Sequence, residues 1–344
     1  MEAVLMREEA LARPDDARPK KLDVTLKSIT SLAENINAFE FVSADGNPLP
    51  AFSAGSHIDV HLPGAVIRQY SLCNEPSERH RYVVAVLKDP EGRGGSVAMH
   101  DTLRVGQNVV ISSPRNHFSL AESARRHLFI AGGIGITPIM SMIAEVQKRG
   151  ETFHLYYCAR APQRAAFLDK LGPFIDQGLV SLHFDDGDPR KGLDLVSTLR
   201  GCSEGTHLYY CGPGRFMDAI EAASSHWSSG TRHCERFSAS GAVAPSSIDA
   251  SNGESTSDTP FEVELRRTGK SFTVQPGESI VSVLRSHDFE VDTSCCEGYC
   301  GTCMTRYLEG EPMHRDTVLD DEDREEFIMI CCSRSKSPKL VLDL

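Results

Sequence analysis

The sequence predicts three domains in series: an antiparallel β-barrel, an α/β domain on a parallel sheet, and a small α+β domain. Three observations predict this. The hydrophobic rhythm changes near Ala121, a stretch poor in large apolar residues lies at 239–259, and cysteines crowd together beyond it. A chain of 344 residues is too long for one core, so several domains are expected.

Residues 1–21 are polar, with Pro14 and Pro19, and read as a loose tail. From 22 to 120, short alternating runs (DVTLKSI, FEFVSA, SHIDVHL, RYVVAVL, NVVISS) are separated by turn signals, the pattern of a barrel or sandwich. From 121 to 238, apolar strands (HLFIAG, FHLYYCA, LVSLHF, HLYYCG) alternate with helical segments, the pattern of a parallel sheet. The Ser-, Gly-, Ala- and Asp-rich segment 239–259 reads as a flexible linker. Residues 260–344 form the third domain, ending on the strand KLVLDL.

Leu128 to Ala144 carries no charge and approaches transmembrane length, but Gly132, Gly133, Gly135 and Pro138 would break a spanning helix at its centre. A buried strand, a Gly-rich turn and a helix with Pro138 in its first turn account for it better. No apolar leader is visible in the first twenty residues, so a cytoplasmic location is expected. The net charge of −12 argues against nucleic acid or an anionic membrane as partner. From Phe261 onward, 17 acidic residues stand against 10 basic ones, so the acidity is concentrated in the third domain.

Cys295, Cys300 and Cys303 satisfy C-x4-C-x2-C, the spacing that wraps a plant-type [2Fe–2S] cluster, with a distant fourth cysteine. Small residues such as Gly298, Gly301 and Thr302 would let backbone N–H groups approach thiolate sulfurs. A zinc site fits less well, because one unequal triple and a Cys-Cys pair do not make two paired knuckles. Cys296 would shorten the first gap to three and is the worse ligand; at the far end, spacing does not choose between Cys331 and Cys332.

Four further motifs bear on cofactors. Arg68-Gln69-Tyr70-Ser71 ends a β-type run and offers charge for a phosphate, an aromatic face and a hydroxyl for a ring nitrogen. Val86, Leu87 and Lys88 lead to Gly94-Gly95-Ser96, a turn into a helix that can cradle a phosphate. Gly132, Gly133 and Gly135 follow a strand like a dinucleotide turn, but Pro138 stands where the third Gly should be, and Arg160 rather than an acid ends the next strand. Cys211-Gly212-Pro213 closes a later strand, where open α/β sheets bind ligands.

In this order, RQYSLCN, GRGGS, GGIGITPI, LYYCGP, CCEGYCGTC, HRD and CCSR resemble the phthalate dioxygenase reductase family, which includes vanillate O-demethylase reductases, over nearly all of the chain beyond Leu22. The resemblance implies a ferredoxin-reductase-like pair of domains, a flavin-binding barrel with FMN and an α/β domain for NADH, followed by a plant-type ferredoxin (β-grasp) domain. It implies that Arg68, Gln69, Tyr70 and Ser71 line FMN, with Ser71 near its reactive nitrogen. Val86, Leu87, Lys88, Gly94, Gly95 and Ser96 would hold ribityl and phosphate. Thr137 would lie between flavin and nicotinamide, Cys211 and Pro213 on the nicotinamide side, and Phe237 over the flavin. The family's C-x-S-R motif selects Cys331 as the fourth ligand.

The expected function is that of an oxygenase reductase: NADH gives hydride to flavin and the cluster passes electrons singly to a terminal oxygenase of the Rieske non-haem iron type. An acceptor of the cytochrome P450 or another monooxygenase class, or a cluster-containing redox sensor, are the rivals. Such chemistry needs no acid–base pair, and none stands out in the sequence. Asp320 to Glu326 offers either a docking surface or a solvated acidic helix face. NADH against NADPH stays open because Arg160 could meet a 2′-phosphate. A monomer is expected.

Overall fold

The computed structural model describes residues 20–64, 66–237 and 258–344; residues 239–257 of the linker expected at 239–259, and the tail before Lys20, lie outside them. The described residues fall into two compact units, one before and one after the linker.

The first unit opens with six antiparallel strands: β1 (Lys21–Ala33), β2 (Ile36–Ser43), β3 (His57–Leu62), β4 (Val66–Ser71), β5 (Tyr82–Leu87) and β6 (Asn108–Ser112). Their order is β4-β3-β6-β1-β2-β5, and a bridge between Leu72 and Val84 closes the sheet into a barrel. Period-2 alternation turns Val24, Leu26, Phe39, Phe41, Ile58, Val60, Val84 and Ile111 inward. The helix α1 (Gly95–Asp101) adds Met99 to that core. β1 begins one residue before the alternating run suggests, because Lys21 pairs with Ser112.

The parallel sheet follows, with β7 (Arg126–Gly132), α2 (Ile136–Lys148), β8 (Thr152–Ala159), α3 (Leu168–Asp176), β9 (Val180–Phe184), α4 (Leu195–Leu199), β10 (Thr206–Gly212), α5 (Gly214–Ala223) and β11 (Arg232–Arg236). The strand order β11-β10-β7-β8-β9 reverses direction between β7 and β10, a switch point where a ligand crevice opens at the carboxyl ends. The uncharged run of residues 128–144 becomes β7, a 3₁₀ turn and α2, with Pro138 in the first turn of the helix. No helix among the described residues is long and apolar enough to cross a membrane. α2 also joins barrel to sheet: Gly55 N–H donates to Ser141 Oγ at 3.1 Å, and one core runs from Ala54 and Phe118 of the barrel side to Ile139 and Met142.

The second unit is a mixed sheet, β13 (Lys270–Val274), β12 (Phe261–Leu265), β18 (Lys339–Leu342), β14 (Met304–Glu309) and β16 (Phe327–Met329), in that order. α6 (Ile280–Ser286) buries Ile280, Val281, Val283 and Leu284 against it, and Ser279 starts it with a capping box. A short pair, β15 (Pro312–Met313) and β17 (Arg334–Ser335), flanks the sheet.

Candidate flavin, nucleotide and cluster sites

β4 lies against β3 with His57 opposite Ser71 and Val60 opposite Arg68. Arg68 Nη1 donates to the Ile67 carbonyl at 2.8 Å and Nη2 to the Arg93 carbonyl at 2.5 Å. Its side chain runs over Gly95, where an added Cβ would lie 2.2 Å from Arg68 Cγ. The guanidinium is therefore held at the N-terminus of α1, beside Gly94 and Ser96, and Gly95 is glycine because the arginine occupies the space of a side chain. Ser96 Oγ is engaged with Asp89, and Lys88 Nζ is 2.7 Å from Asp101 Oδ1. Val86 is buried, while Leu87 at the end of β5 is 39% exposed. Gln69 and Tyr70 are half-buried on β4, and burial raises the Tyr70 hydroxyl well above its usual value.

At the switch point the backbones come close. A Cβ on Gly135 would meet the Cys211 carbonyl oxygen at 2.3 Å, and one on Gly212 would meet Gly132 Cα at 3.1 Å. Thr137 is buried, with its Oγ1 donating to the Ile134 carbonyl at 3.0 Å. Cys211 is fully buried, and burial keeps its thiol protonated far above the usual range. Pro213 caps α5 and is exposed; Phe237 packs half-buried against the shared core. Arg160 is exposed beyond β8, its carbonyl accepting from Asp186 N–H at 2.9 Å.

Ser71 is also where sequence reasoning fell short. Its Oγ donates to Glu235 Oε2 at 3.0 Å, and Glu235 Oε1 lies 3.8 Å from His57 Nδ1. Glu235 stands on β11 opposite Cys211. Burial raises its carboxyl from 4.5 to about 7, against the opposing hydrogen bond from Ser71. Burial, then Arg115 and His117, push His57 well below its usual 6.5. The structure thus brings together a His–Glu pair that the sequence did not reveal, because 164 residues separate Ser71 from Glu235.

In the second unit, Cys295, Cys300, Cys303 and Cys331 are buried in one loop region, at 1–7% exposure. Cys295 is in hydrogen-bond reach of Cys300 and Cys331, and Cys331 in turn of Cys303. The Cys295 contact and burial both raise the Cys300 thiol. Cys331, lowered by Cys295 but raised by Cys303, Cys332 and burial, ends above its usual value. Cys296 is exposed at φ 62, and Cys332 is half-buried with Sγ 3.7 Å from the Met329 carbonyl. Glu297 N–H donates to Cys295 Sγ at 3.3 Å, and the Cys300 thiol to Thr302 Oγ1 at 3.2 Å. Gly298 and Gly301 supply left-handed turns at φ 82 and 77. Four buried thiols with a backbone donor form a donor set suited to an iron–sulfur cluster. The HRD and CCSR motifs serve folding around this loop. Asp316 accepts from Leu319 N–H at 3.0 Å, and Arg334 donates to the Glu278 carbonyl at 2.7 Å. The acidic run forms no helix face: only Asp323–Glu325 makes a single 3₁₀ turn, since adjacent like charges without an apolar stripe do not sustain more.

Comparisons with known proteins match three stretches of the chain. Residues 23–120 match the model of an oxidoreductase FAD-binding domain. Residues 110–232 match a dimethylamine monooxygenase subunit DmmA-like N-terminal domain, and 263–336 a 2Fe-2S iron-sulfur cluster binding domain. Vanillate O-demethylase oxidoreductase of Pseudomonas sp. (strain HR199 / DSM 7063) is 44% identical over 94% of this chain and 100% of its own. The solved structure of phthalate dioxygenase reductase, described as a modular structure for electron transfer from pyridine nucleotides to [2Fe-2S], is 41% identical. It covers 94% of this chain and 98% of its own, with a TM-score of 0.68. An intact type IV self-sufficient cytochrome P450 monooxygenase is 35% identical, with a TM-score of 0.78. That match covers all of this chain and 44% of the longer protein.

Proposed function

This chain belongs to the phthalate dioxygenase reductase family, and from that premise we propose that it is the reductase of an oxygenase system whose terminal component is a Rieske-type non-haem iron protein. It is a flavin and iron–sulfur oxidoreductase that draws on NADH. When bound, the flavin takes up hydride and the cluster carries electrons singly. The chain's own residues bind and orient. Arg68 and the Gly94-Gly95-Ser96 turn would hold the flavin phosphate, Tyr70 and Phe237 its ring, and Ser71 the edge of that ring. Thr137, Cys211 and the close glycines at the switch point would seat the nicotinamide. Cys295, Cys300, Cys303 and Cys331 would ligate the cluster, and their burial would limit access of water.

The carrying observation is the pairing of an arginine-braced glycine turn with a switch-point crevice in one unit, followed by four convergent thiols in the next. The proposed flavin is FMN, as the family resemblance implies, although the matched flavin-domain model is described as FAD-binding. A second reading, delivery to a cytochrome P450, is favoured by the similarity to the self-sufficient monooxygenase. The vanillate O-demethylase oxidoreductase, matched over 100% of its own length, favours the first. A redox-sensor role predicts slow turnover, so rapid NADH-dependent cytochrome c reduction would exclude it.

The test is the absorption spectrum of the purified protein, with the released flavin identified by mass and the cluster followed by EPR after NADH. One FMN per cluster and a rhombic signal are expected. FAD would overturn the FMN assignment, and a cluster that NADH does not reduce would overturn the electron path. Stimulation by a purified Rieske oxygenase but not by a P450 separates the partners.

A further inference from the structure

His57 is 1% exposed, and both its ring nitrogens are buried without a hydrogen-bond partner. Leaving buried polar atoms unsatisfied is costly, so such a group in a packed barrel calls for an explanation. The charged and titratable groups that face it are few. Glu235 approaches from β11 at 3.8 Å, and the His117 ring lies 5.5 Å away. Arg115 pairs with His57 through backbone hydrogen bonds, and its Nη2 is held by Asp59 at 2.8 Å. Glu235, only 12% exposed, faces Ser71, His57 and the neutral thiol of Cys211. Arg236 beside it turns to Asp218 and Glu221.

Ser71 has one hydroxyl proton. While Glu235 is ionised, that proton goes to Oε2, and Ser71 offers only lone pairs to a ligand in front of it. Once Glu235 is protonated, it can donate to Ser71 Oγ, and the Ser71 O–H is released toward an acceptor such as a bare ring nitrogen. His57 sits against the other carboxyl oxygen. At 3.8 Å, a proton on Nδ1 steadies the carboxylate and so favours its ionised form.

We propose that His57 is a positioning residue which, acting through Glu235, sets whether Ser71 presents a hydrogen-bond donor or an acceptor to the flavin. This rests on the reading above that Ser71 meets the flavin ring. An oxidised flavin presents a bare ring nitrogen and a reduced one an N–H, so a row that reverses with one proton serves both states. Burial of Glu235 places the reversal near neutrality, and burial of His57 keeps the imidazole uncharged throughout.

The test titrates the visible flavin band of the full-length, oxidised holoprotein without NADH, from about pH 5 to about pH 9 around the shifted carboxyl. The wild type is expected to show a transition near pH 7, and Glu235→Gln to abolish it. His57→Phe should weaken the carboxylate, moving the midpoint upward by about tenfold in proton affinity, and His57→Gln should restore it through an amide donor. A His57→Phe titration identical to wild type, or a transition that survives Glu235→Gln, overturns the proposal. Should His57→Phe not fold, the infrared C=O band of protonated Glu235 must shift on His57→Ala, and an unmoved band overturns it. A purified protein with no flavin defeats the functional reading itself, whereas bound flavin indifferent to His57 defeats only this inference.

Discussion

Cys331 and Cys332 are adjacent, yet the fold treats them differently. Cys331 is 7% exposed and lies within reach of Cys295 and Cys303, whereas the Cys332 sulfur turns toward the Met329 carbonyl and Ser333 Oγ at 3.7 and 3.8 Å. Both lie in the turn after β16, where Cys332 N–H donates to the Met329 carbonyl at 3.2 Å, and only the Cys331 thiol reaches Cys295 and Cys303. Cys331→Ser is therefore expected to lose the iron and the visible cluster absorption, while Cys332→Ser keeps both. The reverse result would place the ligand one position later. Gly298 limits the exchange from the other side, since a Cβ there would lie 2.5 Å from Cys332 Sγ.

At the scale of elements, the switch point depends on glycines that admit neighbouring backbone. A Cβ at Gly135 would collide with the Cys211 carbonyl, which β10 holds in register with β7 and β11 and cannot withdraw. Gly135→Ala is expected to cost about 1–3 kcal/mol and to raise the KM for NADH. Gly230 provides the contrast: it lies in the 3₁₀ turn Ser229–Thr231 with nothing inside 4 Å of an added Cβ. Gly230→Ala should instead stabilise by about 0.4–1 kcal/mol. Thermal midpoints of the two variants check the pair, and equal midpoints would refute the close-approach argument. The Gly-rich turn was legible in the sequence because glycine after an apolar strand is a local signal. So were the barrel strands, whose alternation is local too. The buried contact between His57 on β3 and Glu235 on β11 was not legible. His57 reads as one more residue of an alternating strand, and Glu235 as a charge beside an aromatic. Only the packing of the parallel sheet against the barrel joins them. The acidic run misled for the opposite reason: its charges suggested a helix face, but no apolar stripe accompanies them to be buried.

For the whole molecule, acid stability tests how far buried imidazoles outweigh net charge. His57, His117, His127, His154, His183, His207 and His233 of the first unit are all lowered from 6.5, burial being the largest cause in each, and His233 reaches about 4. These groups titrate near 6.5 when unfolded and lower when folded. The unfolded state therefore binds more protons as pH falls, and the stability they contribute is present above about 6.5 and lost below it. Two effects oppose this. Glu235, raised to about 7, relieves a cost as pH falls from 7 toward 4.5, but it is one group against seven. Lowering pH also neutralises part of the −12 charge, which eases self-repulsion across a surface screened by salt. The histidine term is the larger, because His57, His127 and His207 are buried and each unit of displaced pKa there is worth about 1.4 kcal/mol, while the half-buried and exposed histidines count for less. Released flavin fluoresces, so the temperature of flavin release measured from about pH 8 down to about pH 5 should fall steadily below 6.5. The His207–His233 pair, joined by a hydrogen bond at 2.9 Å, carries part of that fall. His233→Gln can keep the hydrogen bond without the titration, so it should flatten the acid limb while leaving the release temperature at pH 8 nearly unchanged. A release temperature that stays level or rises on acidification would mean that charge relief, not the buried imidazoles, governs this protein below neutrality.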